Sequence, residues 1–174
     1  RGNERVLEAR LEDAQFFFEE DQKTKLEDFV ILLKGVTFQK ALGTSFEKVD
    51  RIVAIADFLS TKFFSDKTKQ AGRAAWLCKA DLVTQMVYEF PELQGVMGGY
   101  YAKHSGEASE ISLAIKEHYR PAFSGDLLPS SPIGAIVSIA DKLDTILGCI
   151  GVGLLPTGSE DPYCLRRHSL GIIQ

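Results

Sequence analysis

Six charged residues stand in two largely apolar segments. They are Lys79, Asp81 and Glu89 in "LCKADLVTQMVYEF", and Asp141, Lys142 and Asp144 in "IGAIVSIADKLDTILGCIG". A buried carboxylate is costly unless it is paired, hydrogen-bonded or bound to a cation, so acids at these positions need partners. Two chemistries are open. The acids hold a divalent metal, or they meet cations and helix ends from neighbouring segments. On a wheel of about 100° per residue, Asp81, Thr84 and Gln85 fall together and Glu89 continues the stripe, while Lys79 lies about 160° away. Asp81 alone therefore reads as the polar edge of a buried helix. Asp141 shares a side with Ser138, Lys142 and Thr145, and Asp144 sits about 60° off. Lys142 cannot serve both acids, because adjacent helical positions diverge.

Imidazoles are the other ingredient of a water-activating metal site. The chain has three: His104, His118 and His168. His104, in "YYAKHSGE", follows two tyrosines at a glycine-broken turn and reads as a hydrogen-bonded structural residue. His118, in "KEHYRP", is near a helix C-terminus, where the dipole favours its cation. His168 reads as a surface residue of the last helix. Cys78, Cys149 and Cys164 are far apart and lack CxxC spacing, which fits reduced thiols rather than a zinc knuckle or disulfide framework. No glycine-rich phosphate loop follows a strand. "PTGSEDP" lacks the lysine and spacing of a nucleotide cradle, and Thr157, Ser159 and Asp161 there read as satisfying local amides.

The elements that must position these groups are helical. Val6, Leu7, Leu11, Ala14, Phe17 and Phe18 recur at spacings of three and four, an amphipathic helix over 5–18. "TKLE" at 24–27 and "TSFE" at 44–47 read as capping boxes, opening helices that run to Gly35 and through Leu59. A long helix is expected over 67–90, with Asp66 as N-cap and Pro91 closing it. Shorter helical pieces broken by Gly95, Gly98 and Gly99 follow, then a helix ending before Pro121. An apolar helix over 133–150 and a last helix starting near Asp161, with Pro162 in its first turn, complete the chain. No strand alternation appears, so the fold class is all-α.

At 174 residues, 45% of them hydrophobic, the chain is large enough for one domain with a core. Its 20 Lys and Arg against 24 Asp and Glu give a net charge of −4. It is no basic platform for nucleic acid, although local basic patches remain open. No apolar run reaches the ~20 residues of a membrane span, and no signal core opens the sequence, which points to a cytoplasmic protein. The start and end read as those of a piece excised from something longer.

An acid on an apolar helix followed by "IADKLDTI" resembles the HD-domain layout, an all-α bundle holding a divalent metal with a His, a His-Asp pair and a later Asp. Asp81 matches the acid of the pair and Asp141 the later one. Ala80 stands where that family has His, and no histidine precedes His104. The resemblance thus implies a single HD-like helical domain over 1–174 with a degenerate metal site. The alternative, a metal-dependent phosphohydrolase acting on nucleotides or phosphoesters, lacks its imidazoles.

Longer strings carry a second resemblance. "ARLEDAQFFFEED", "LCKADLVTQMVYEFPELQGVMGGYYA", "LPSSPIGAIVSIADKLDTILG" and "PTGSEDPYCLRRHSLGI" together resemble the central region of the β subunit of bacterial glycyl-tRNA synthetases, with departures at Cys164 and His168. This resemblance implies a partner α subunit that activates glycine with ATP and Mg, tRNA(Gly) as the β subunit's ligand, and no cofactor or catalytic residue in this region. Candidate tRNA contacts are Arg166 and Arg167, and Lys103 with His104 beside Tyr100 and Tyr101. One arginine could instead pair with Asp141 or Asp144, or both could make intramolecular pairs. The tyrosines could equally be buried.

Overall fold

The computed structural model describes residues 2–174, with side chains from residue 4 onward. Helix α1 (Gly2–Asp21) leads into the short α2 (Leu26–Val30), which tightens into a 3-10 turn over Ile31–Gly35. A small antiparallel hairpin, β1 (Thr37–Gln39) and β2 (Gly43–Thr44), then precedes α3 (Ser45–Phe63). The rest is helical: α4 (Thr68–Leu77), α5 (Gln85–Glu89), α6 (Val96–His104), α7 (Ser109–Glu117), α8 (Pro132–Gly151) and α9 (Leu165–Ile173). The class is all-α, corrected for one hairpin too short to show alternation.

Helix α3 packs on α4 and α8, α7 packs on α6 and α8, and α9 lies against α8. Leu33, Val49, Ile52, Leu77, Ile115 and Val137 meet between them, completely buried. Burial of such side chains contributes about 1.5–3 kcal/mol each and drives the assembly. The outer half of α1 stands apart from this core, with Val6, Leu7 and Leu11 all more than 60% exposed.

Local signals fare unevenly. The box at Thr44 forms: its hydroxyl accepts from the Glu47 amide, and Glu47 returns to the Thr44 amide at 2.7 Å. The box expected at Thr24 does not. Lys25 is the N-cap of α2 without a side-chain bond, and Glu27 instead accepts from Arg73 at 2.8 Å. Asp66 lies in a 3-10 turn, leaving Lys67 as the N-cap of α4. Asp161 does cap the last helix, accepting from the Leu165 and Arg166 amides at 2.8 and 3.0 Å. That helix starts at Leu165, so Pro162 lies before its first turn.

The largest departure is over 67–90. Helix α4 stops at Leu77, a 3-10 turn spans Ala80–Val83, and α5 restarts after Thr84, whose hydroxyl accepts from Val87 at 3.3 Å. A continuous wheel therefore misplaces Asp81, Thr84 and Gln85. The break lets Lys79 and Asp81, two residues apart, reach separate partners.

Candidate functional site

Asp81 is completely buried, and its carboxylate faces the start of α6. Oδ2 accepts from the Gly95 amide at 2.6 Å and the Gly98 amide at 2.9 Å, two of the donors that a helix N-terminus leaves unpaired. Gly95 takes φ +79°, a left-handed conformation suited to glycine. Asp81 is thus a remote N-cap supplied by another segment. Burial pushes its carboxyl up to about 6, against the two amides and Lys79, which pull it down.

Asp21 does the same for α5, accepting from the Gln85 and Met86 amides at 2.9 and 3.0 Å and from the Tyr101 hydroxyl at 2.8 Å.

The acids of α8 meet lysines. Lys79 donates to Asp141 Oδ2 at 2.7 Å, contacts His118 Nε2 at 2.9 Å and lies 3.8 Å from the Tyr119 ring centroid. Lys48, on α3, reaches Asp144 Oδ2 at 2.9 Å and the Thr145 hydroxyl at 2.7 Å. It also lies 3.0 Å from Asp141 Oδ1, an ion-pair contact without hydrogen-bond alignment. Arg51 completes Asp144 from the other side. Burial opposes ionisation of Asp141, but the ammoniums of Lys48 and Lys79 outweigh it and hold the carboxyl well below the carboxylate range.

Lys142 serves neither acid. It donates to the Arg120 carbonyl at 2.8 Å, just past the C-terminus of α7, and to Ser138. Burial draws its ammonium down to about 8.

His118 departs from its expectation. It is completely buried, and burial together with the charge of Lys79 drives it down to about 3, so the ring is neutral. Its Nδ1 lies 2.6 Å from the Ile115 carbonyl, which can only accept; the ring proton therefore sits on Nδ1 and Nε2 presents a lone pair. His168 is half-buried rather than free on the surface, and burial takes it down to about 4.

These partners decide whether a metal fits. Ala80 has no donor, one Asp81 oxygen is committed to two amides, and Asp141 is held between two ammoniums. Among the described residues, no group of three or more His, Cys, Asp or Glu is placed to share an ion. The donor set does not fit the HD arrangement.

Sequence reasoning missed Lys48. A signal existed: Ser45, Lys48, Val49, Ile52 and Ala56 form the buried stripe of α3, and a lysine within such a stripe calls for an acid. For the pairing of Asp141 and Asp144, Lys48, Lys79 and Arg51 replace the arginines of the last helix. Arg166 is exposed and donates to the Gly158 carbonyl at 2.9 Å; Arg167 is exposed as well.

Comparison with known proteins decides the family. The model of the glycyl-tRNA synthetase beta subunit matches residues 1–174. The chain belongs to the glycyl-tRNA synthetase β subunit family. The glycine–tRNA ligase beta subunit of Geobacter sulfurreducens is 61% identical over 173 residues, covering 99% of this chain and 25% of that protein. Those of Ralstonia nicotianae and Neisseria gonorrhoeae are each 53% identical, over 99% and 100% of the chain. The chain thus spans about a quarter of the length of these β subunits.

In this member of the β subunit family, the other candidate contacts lie on α6. Lys103 and His104 are exposed at the end of α6, beside Tyr100, which is 54% exposed, whereas Tyr101 is buried against Asp21. A groove of about 370 Å³ between α6 and α7 is lined by Tyr100, Lys103, Ser112 and Lys116. A second, of about 340 Å³, runs past Lys116, Arg120, Arg167 and His168, with the carboxylates of Glu92 and Asp126 in the same lining. Lys116 belongs to both, and its ammonium lies 5.6 Å from the Tyr100 ring centroid. Among the described residues, no helix is long and apolar enough to cross a membrane.

Proposed function

We propose that this chain is an HD-like helical domain within a cytoplasmic glycine–tRNA ligase β subunit, and that it touches tRNA(Gly) along the band from Lys103 to Arg167. One observation carries the reading: the two grooves meet at Lys116, joining Lys103 and Tyr100 on one side to Arg120 and Arg167 on the other. Ammonium and guanidinium groups along such a band suit phosphates, and an exposed tyrosine beside them suits an unpaired base. The band is local; Arg120 is already paired with Glu117 at 2.8 Å. This is consistent with a contact that assists binding within a larger subunit. Glycine activation with ATP and Mg belongs, on this reading, to a partner α subunit, and the chain itself is not catalytic. Its acids are caps and ion-pair partners, which supports no phosphohydrolase.

The test is charge reversal in the whole ligase. Lys103→Glu and Lys116→Glu should each weaken tRNA(Gly) binding roughly tenfold and lower the salt slope by about 1, the signature of a lost phosphate contact. ATP-dependent glycine activation without tRNA should not change. Unaltered tRNA affinity in both variants would leave a purely architectural role. That second reading has its own support in the exposed apolar residues of α1 and a groove lined by Leu7, Leu11, Met86, Phe90 and Leu93.

A further inference from the structure

Asp141, His118 and Tyr119 converge on one point, and that point is the Lys79 nitrogen. The carboxylate comes from α8 at 2.7 Å, the imidazole Nε2 from the residue after α7 at 2.9 Å, and the ring face lies 3.8 Å away. Carboxylate, imidazole lone pair and π-face all favour positive charge. The imidazole is prepared for it. A carbonyl on Nδ1 fixes the tautomer that offers Nε2 outward, the same second contact that orients histidines holding metal ions. Lys79 itself is 4% exposed, so its charge is not there to meet water.

We propose that these groups form a cation site whose resident ion is the ammonium of Lys79, tethered to the chain. It does the work of a bound ion: it joins the segment after α4 to the end of α7 and to α8, without an exchangeable ligand. Charge decides which kind of cation suits the position. Asp141 and Asp144 already meet Lys48 and the part-exposed Arg51 as well as Lys79, so these five paired groups sum to one positive charge with an ammonium in place. A divalent ion there would raise this to two, which a desolvated site disfavours. The site is therefore one for a monovalent, hydrogen-bond-donating cation. Room exists for a substitute to enter, since Lys79, Lys48, Asp141 and Tyr119 line an open cavity of about 240 Å³. This inference does not rest on the tRNA reading.

Truncation and rescue in the intact β subunit test it. Lys79→Ala removes the atoms that n-propylammonium can restore. Melting of the variant should rise saturably with n-propylammonium chloride, and not with equal sodium or magnesium chloride. The unsubstituted protein should show no such response, and Lys79→Ala with His118→Phe should lose most of it. A folded Lys79→Ala whose melting is indifferent to n-propylammonium overturns the proposal. If Lys79→Ala does not fold even with the amine, ¹⁵N NMR of His118 in the unsubstituted protein decides. A bare, hydrogen-bonded Nε2 at neutral pH is the expected signal, and a protonated Nε2 refutes the site.

Discussion

The Asp81 carboxylate stands 2.9 Å from the Gly98 amide, inside the first turn of a helix to which Asp81 does not belong. With the Gly95 amide at 2.6 Å, it fills a role usually given to a residue adjoining the helix. Asp81→Ala should therefore destabilise the fold by about 1–3 kcal/mol, the cost of leaving buried donors unpaired. Denaturant melts would measure this, and amide exchange should accelerate selectively at Gly95 and Gly98. Uniform acceleration across all helices would count against a capping role.

Helices α6 and α7 approach through Gly99. A methyl group there would lie 2.9 Å from the Ser112 carbonyl oxygen and 2.8 Å from Lys116 Cβ. Backbone cannot yield as a side-chain tip can, so Gly99→Ala should cost about 1–3 kcal/mol. Gly151, at the end of α8, has nothing within 4 Å of such a methyl. Gly151→Ala should be neutral or gain up to about 1 kcal/mol. Thermal melts of the pair would separate close packing from helix propensity.

Acid should weaken the fold through His118. Its ordinary value of 6.5 falls to about 3 in the folded chain. Between those values the unfolded chain binds a proton that the folded one does not. Stability from this group is thus complete above pH 6.5 and is lost as pH falls towards 3, at up to about 1.4 kcal/mol per pH unit. Asp81 acts in the opposite sense, because its raised value favours the folded form as pH falls from about 6 towards 4. In a pH series of denaturant melts, stability should fall more steeply with acid in the parent than in His118→Gln, the difference isolating this group from the opposing Asp81. An unchanged slope in that variant would remove His118 as the cause.

Cys164 sits at φ 55°, ψ 35°, a left-handed conformation that non-glycine residues enter at a cost of about 1–2 kcal/mol. Its backbone still serves α9, since its carbonyl accepts from His168 at 2.9 Å. Cys164→Gly should raise stability by roughly 1 kcal/mol after glycine's greater unfolded entropy is offset. Calorimetry on the two proteins checks it, and a lower melting temperature would contradict the strain.

What could be read from the chain was local. The "TSFE" box and the long α8 depend on contacts within a turn or two, and both appear nearly where the spacing puts them. The break between Leu77 and Thr84 has no such signature. It accompanies Lys79 turning to Asp141, 62 residues on, and Asp81 turning to Gly95 and Gly98. A helical wheel presumes the continuity that those distant partners abolish. For the same reason the acids were recognisable as needing partners, while Lys48 was not recognisable as one of them. Lys103 and Tyr100 could be singled out by type, but their alignment with Lys116 needed α6 and α7 to be set side by side.

The pairing of Lys48 with Asp144 spans 96 residues of chain. A ribosome adding about 5–20 residues per second needs some 5–20 seconds to make that stretch. Throughout that interval the segment that becomes α3 carries a lysine in its apolar stripe with no acid yet made to receive it. The first half of the chain thus emerges unfinished. Its closure awaits the synthesis of α8, a delay during which the nascent segment is exposed to chaperones or to unwanted association.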